Sequence, residues 1–81
     1  MGTLTANINP LAQSVTFTDN EMSVRLVDGR TLTVPLAWFP LLAGASNEQL
    51  HNYQILGDGE GIHWPDLDED LSVKGLLLGN H

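Results

Sequence analysis

Strict alternation dominates the first half of the chain. Val15 and Phe17 fall on one face, with Thr16 and Thr18 on the other, and Met22, Val24 and Leu26 repeat the pattern. A period of two places alternate side chains on one side of a strand. A two-residue turn at Asp19 and Asn20 sets Phe17 opposite Met22 and Val15 opposite Val24, so the apolar sets share a face. The next turn separates two registers. A two-residue loop at Asp28-Gly29 would send Leu32 and Val34 to the face away from Val24. A three-residue loop, Val27-Asp28-Gly29, sets Val24 opposite Leu32 and Met22 opposite Val34. The pattern therefore predicts a bulged turn with Gly29 in the left-handed position, where a side chain is costly.

Pro35 ends the third strand and can open a helical turn. Leu36, Trp38, Phe39, Leu41 and Leu42 are too densely apolar for a surface helix and read as a core-filling turn broken by Pro40. Ala43 to Ala45 is a joint. Ser46 and Gln49 have capping-box spacing, with Leu50 as the buried contact of a short helix ending near Asn52. Tyr53 to Leu56 reads as a fourth strand, and Gly57 to Glu60 as a turn. Ile62 and Trp64 share one face of a fifth strand, with His63 on the other. Pro65 cannot donate to a ladder and stops that strand.

Asp66, Asp68, Glu69 and Asp70 carry too much charge to be buried unpaired, so the run is expected as a surface loop anchored by Leu67 and Leu71. Ser72 is placed to cap a short helix through Leu76, with Gly79 as its stop. The carboxylates then lie close to the positive end of that helix. The expected architecture is α+β: a small antiparallel sheet, made of a three-stranded meander plus a second hairpin, with short helices on one face. Residues 1–81 form a single domain, of which 1–13 is a loose N-terminal segment. The expected core is Val15, Phe17, Met22, Val24, Leu26, Leu32, Val34, Trp38, Phe39, Leu42, Leu50, Ile55, Ile62 and Trp64.

Composition narrows the function. The 81 residues are 42% hydrophobic, enough for one folded domain with a modest core. The absence of cysteine removes disulfides, thiolate metal sites and cysteine nucleophiles. The formal charge is −7. Arg25, Arg30 and Lys74 cannot neutralise a phosphate backbone or dock on an anionic membrane. For a small acidic domain such a surface more commonly serves solubility, and where it binds, the favoured partner is a basic protein. No secretory signal or membrane span is visible, and Ala6 stands where a myristoylation signal needs Ser or Thr, so a cytoplasmic location is expected.

Candidate chemistry is sparse. His51, His63 and His81 have no partner at zinc-binding spacing. Asp66, Asp68 and Asp70 match the first, third and fifth ligands of an EF-hand loop, but Leu71 and Leu77 stand at its glycine and bidentate glutamate. No nucleophile elbow or phosphate-binding loop occurs. The chain is read as a non-enzyme without cofactor or metal. Leu76, Leu77 and Leu78 cannot all point inward from one short helix. At least one is exposed, or covered by a partner or a second copy forming a homodimer. The candidate partner-binding residues are therefore Asp66, Asp68, Glu69, Asp70, Leu76, Leu77 and Leu78. The competing reading is a small-ligand or enzymatic site on His63 and neighbouring carboxylates.

The ending Gly61-Ile62-His63-Trp64-Pro65, with Asp68-Glu69-Asp70, Leu71-Ser72-Val73 and Gly75-Leu76-Leu77, resembles a family of small bacterial proteins, domain of unknown function 2442. Asp28-Gly29-Arg30 and Phe39-Pro40-Leu41-Leu42 fit the same pattern, so the resemblance runs from about Val15 onward. It implies a small α+β domain, fused in some members to a helix-turn-helix module for which this chain has no room after Gly79. It also implies, for some members, an antitoxin-type role beside another small protein. No catalytic residues come with it. Together these readings favour a non-enzymatic interaction module, antitoxin-like by resemblance.

Overall fold

The structure is a computed structural model that describes residues 10–79. Residues 1–9 of the expected loose segment lie outside the described residues. Strands β1 (Ala12–Phe17), β2 (Glu21–Leu26) and β3 (Thr31–Pro35) form an antiparallel sheet in the order β1-β2-β3. Phe17 opposes Met22, Val15 and Leu32 both oppose Val24, and Val34 opposes Met22, which is the register the alternation requires. Leu26 N–H donates to Arg30 O at 2.8 Å across a three-residue loop, and Gly29 has φ +96°. Asp28 accepts from the backbone N–H of Arg30 at 3.0 Å and from its Nε at 2.8 Å. The backbone hydrogen bond, then the guanidinium, holds the Asp28 carboxyl below its ordinary range.

A Cβ on Gly29 would meet nothing within 4 Å, so the cost of a side chain there is conformational alone. Gly29→Val is expected to lose about 1–3 kcal/mol in urea denaturation, because a β-branched residue is strained at positive φ. An unchanged midpoint would contradict this turn.

Strand β1 starts at Ala12, earlier than the alternation suggests. The register shifts between Ala12 and Ser14, and this bulge turns Ala12 and Val15 inward although they lie three apart. After β3 comes a 3-10 turn, Leu36–Trp38, then helices α1 (Pro40–Ala43) and α2 (Asn47–His51). Pro40 opens α1 rather than merely breaking a turn. Leu36, Phe39 and Leu42, spaced by three, fill the core. Trp38, expected in the core, is instead 44% exposed, and Leu41 shares its outer side. Helical periodicity puts these two positions opposite the buried three. The capping box is present, with Ser46 Oγ accepting from Gln49 N–H at 3.1 Å and Gln49 Oε1 from Ser46 N–H at 3.0 Å.

The second half departs further from expectation. Strands β4 (Gln54–Leu56), β5 (Gly61–Trp64) and β6 (Glu69–Ser72) form a separate antiparallel sheet in the order β4-β5-β6, followed by helix α3 (Val73–Leu77). The class is α+β as expected, with the second hairpin extended by β6 into a three-stranded sheet of its own, and half of the expected acidic loop is a strand. Ala12 N–H donates to Gly59 O at 2.8 Å and Val15 N–H to the Tyr53 hydroxyl at 3.0 Å, tying β1 to the second sheet. One core spans both sheets and takes in Val73 and Leu76 from α3. Phe17, Leu32, Ile55, Leu67 and Leu71 pack at its margin. Trp64 is fully buried, and its Nε1–H donates to Leu50 O at 3.0 Å.

Candidate functional site

Among the described residues strand β6 ends its sheet, with one edge paired to β5 and the other facing no strand. Ile62 opposes Leu71, His63 opposes Asp70, and Gly61 opposes Ser72. Val73 N–H donates to Glu60 O at 2.9 Å, which fixes the phase of the ladder. Counting back in twos, Leu71 and Glu69 turn their backbone groups toward β5, whereas Asp70 and Ser72 turn theirs outward. Glu69 Oε1 accepts from the outward Asp70 N–H at 3.1 Å. Side chains alternate by face: Leu71 follows Ile62 into the core, and Asp70 and Ser72 stand on the outer face.

The acidic residues do different things. Asp66 Oδ2 accepts from Asn52 Nδ2 at 3.0 Å, fastening the β5–β6 turn to the end of α2. Asp68 closes that turn with φ +52°, a conformation aspartate tolerates. Asp70 lies across the sheet from His63 and contacts its Nδ1 through Oδ1, with the Asp70 side chain 71% exposed. Among the described residues no three His, Asp or Glu side chains are grouped to hold a metal ion. The EF-hand spacing of Asp66, Asp68 and Asp70 is broken by the strand that begins at Glu69.

The leucine tail separates cleanly. Leu76 is 4% exposed and belongs to the core, so it leaves the candidate surface. Leu77 is exposed and Leu78 is 68% exposed. Ser72 Oγ accepts from Gly75 N–H at 3.1 Å and caps α3 as expected. The Asp66–Asp68 turn does not adjoin that helix end, however. The four residues of β6 intervene, roughly 13 Å of strand. The acidic turn and the helix that carries the leucine pair therefore adjoin opposite ends of one edge strand.

Two concavities flank this hairpin. The larger, about 680 Å³ and open to solvent, is lined by Asn47, Glu48, His51, Asn52 and Asp66. His51 Nδ1 lies 2.7 Å from Asn47 O. A carbonyl only accepts, so Nδ1 carries the proton in this bond. The Phe17 ring meets His51 edge-on at 5.4 Å. His51 gave no sequence signal, because its companion Asp66 comes from another element. The smaller hollow, about 470 Å³, lies on the outer face of the second sheet and is lined by Leu56, Glu60, Gly61, Asp70 and Ser72, among others.

Residues 12–81 match the model of the protein family of unknown function DUF2442. The chain belongs to the DUF2442 family. Among solved structures, this DUF2442 chain is similar to the crystal structure of a protein of unknown function from Rhodospirillum rubrum. The identity is 38% over 89% of each chain, with a TM-score of 0.77. It is also similar to the solution NMR structure of an uncharacterised protein from Chromobacterium violaceum. There the identity is 29% over 86% of this chain and 66% of the other, with a TM-score of 0.73. No curated protein matches it. Among the described residues no helix is long and apolar enough to cross a membrane.

Proposed function

We propose that this DUF2442 domain is a non-enzymatic, cytoplasmic interaction module that binds a basic protein segment along the open edge of β6. Asp66, Asp68, Glu69 and Asp70 supply the charge at one end, and Leu77 and Leu78 an apolar contact at the other. The observation that carries this reading is the outward backbone of β6, above all the Asp70 carbonyl and the Ser72 N–H, on a strand that also carries the Glu69 and Asp70 carboxylates. An open edge is a template for pairing with another chain. Two copies of β6 set edge to edge would bring carboxylates together, which disfavours self-pairing and selects a cationic partner. The charge of −7 adds long-range attraction for such a partner. An antitoxin-like role, neutralising a small basic protein, is the form of this reading that the family resemblance suggests.

Co-purification from native cells at low and high salt tests it. The partner is expected to be lost at high salt, and each of Glu69→Lys and Asp70→Lys should weaken binding about tenfold at low salt. A partner held equally at both salt concentrations, and indifferent to both reversals, would defeat the electrostatic edge.

A second reading, small-ligand binding, is favoured by the His51–Asp66 concavity more than by His63, which has one carboxylate beside it on an open sheet face. A small ligand that shifts the NMR signals of His51, Asn52 and Asp66 while leaving β6 unmoved would support it.

A further inference from the structure

We infer that the segment bound by β6 carries two cationic side chains separated by one apolar residue, one cation opposite Asp70 and the other reaching into the hollow over Gly61. This rests on the edge-strand reading above and specifies its ligand. Leu56, Gly61 and Ser72 are aligned across β4, β5 and β6. They lie on the outer face, because the neighbouring row, Ile55, Ile62 and Leu71, packs on the core. Gly61 brings no side chain to that row. A Cβ there would meet Leu56 Cδ1 at 3.3 Å and Leu71 O at 3.4 Å, so Leu56 already leans over the gap. The result is a hollow with an apolar wall at Leu56, a small hydroxyl at Ser72, and carboxylates at Glu60 and Asp70.

A strand added beside β6 places its residues in line with these rows, about 4.8 Å beyond the β6 backbone. Its residue opposite Ser72 faces the outer side. A long side chain there passes over Ser72 and enters the hollow above Gly61. Lysine and arginine fit it best, since the stem covers Leu56 and the charged head meets Glu60 and Asp70. Glu60 uses Oε1 to accept from Asp58 N–H at 2.9 Å and keeps a second oxygen for the cation. An aliphatic side chain would leave without a cation the second oxygen of each carboxylate, beyond those that meet Asp58 N–H and His63 Nδ1, and an acidic one would be repelled. The partner residue opposite Asp70 is two positions away on the same face, where a second cation forms a cross-strand ion pair. The residue between them faces inward beside Leu71 and extends the apolar row. Backbone pairing at Asp70 requires its N–H to leave the Glu69 carboxylate.

The test is a ¹⁵N and methyl NMR titration of the full chain. The probe is a nine-residue threonine-rich peptide with a lysine–valine–lysine centre. Its controls place the two lysines adjacent, or replace both with acetyl-lysine. The alternating peptide is expected to shift the amides of Asp70, Ser72 and Gly61 and the methyls of Leu56, and to bind about tenfold more tightly than either control. Glu60→Gln should lower its affinity several-fold without moving the thermal midpoint. Gly61→Ala, checked for folding by its melting curve, should remove the Leu56 response. Equal binding of all three peptides would overturn the inference while leaving β6 as the docking edge. So would shifts at Asp70 and Ser72 with none at Gly61 and Leu56. No β6 response to any peptide would overturn both.

Discussion

Trp64→Ala is expected to leave most of the chain unfolded at room temperature. Trp64 has no exposed surface and stands where β5 faces α2, with its indole N–H on Leu50 O. Truncating a fully buried aromatic costs about 3–5 kcal/mol. The Leu50 carbonyl also loses its donor, which adds about 1–3 kcal/mol if it stays buried. A chain of 81 residues has a total stability of about 4–12 kcal/mol, so the loss consumes most of it. Trp64→Phe separates the two contributions, because it keeps an aromatic ring and deletes the donor. That variant should remain folded and lose about 1–3 kcal/mol in urea denaturation. A cooperative transition for Trp64→Ala within about 1 kcal/mol of the parent would show that the two sheets do not depend on a common centre.

The residues that make Trp64 central also show where sequence reasoning works on this fold. The β1–β2 and β2–β3 registers follow from local facts: side chains alternate, and only one loop length keeps Val24, Leu32 and Val34 in phase. The caps at Ser46 and Ser72 are equally local, since each bond spans three residues. Strand β6 was not legible. Glu69 and Asp70 are poor strand formers, and their pairing depends on β5 lying alongside. How the two sheets join was hidden for the same reason, because it turns on contacts such as Ala12 with Gly59, far apart in sequence. Trp38 was misplaced by density: five large apolar residues in seven positions suggest burial throughout, whereas a helical turn buries only every third.

The candidate site divides similarly. Charge and the exposed tail were legible, since four carboxylates cannot all be buried and three successive leucines cannot share one face. Which leucine turns inward was not, and Leu76 proved to be core. Nor did the sequence show that an edge strand separates the charges from the tail. The His51–Asp66 concavity and the hollow over Gly61 exist only once three elements meet.

Gly59→Ala is expected to be the most damaging single-methyl addition among the described glycines, because it strikes the joint between the sheets. Gly59 is buried with φ +118°. A Cβ there would lie 2.7 Å from both the N and the O of Ala12 and 3.0 Å from Leu11 Cβ. Two of those atoms are backbone, so no side chain can swing aside. The turn at residues 57–60 or the start of β1 must move, and the bond from Ala12 N–H to Gly59 O breaks with it. Strain at positive φ costs about 1–3 kcal/mol and overpacking about another 1–3. Gly29→Ala is the matched control, since its φ is also positive but its Cβ meets open space, so only the conformational cost of about 1–2 kcal/mol applies. In urea denaturation Gly59→Ala should lose at least about 1 kcal/mol more than Gly29→Ala, and hydrogen exchange at the Ala12 amide should accelerate in the first variant alone. Equal losses with unchanged exchange at Ala12 would mean that the sheets are held by their shared apolar core and not by this backbone seam. In that case the second sheet would keep its shape, and the open edge of β6 with it, even when β1 is displaced.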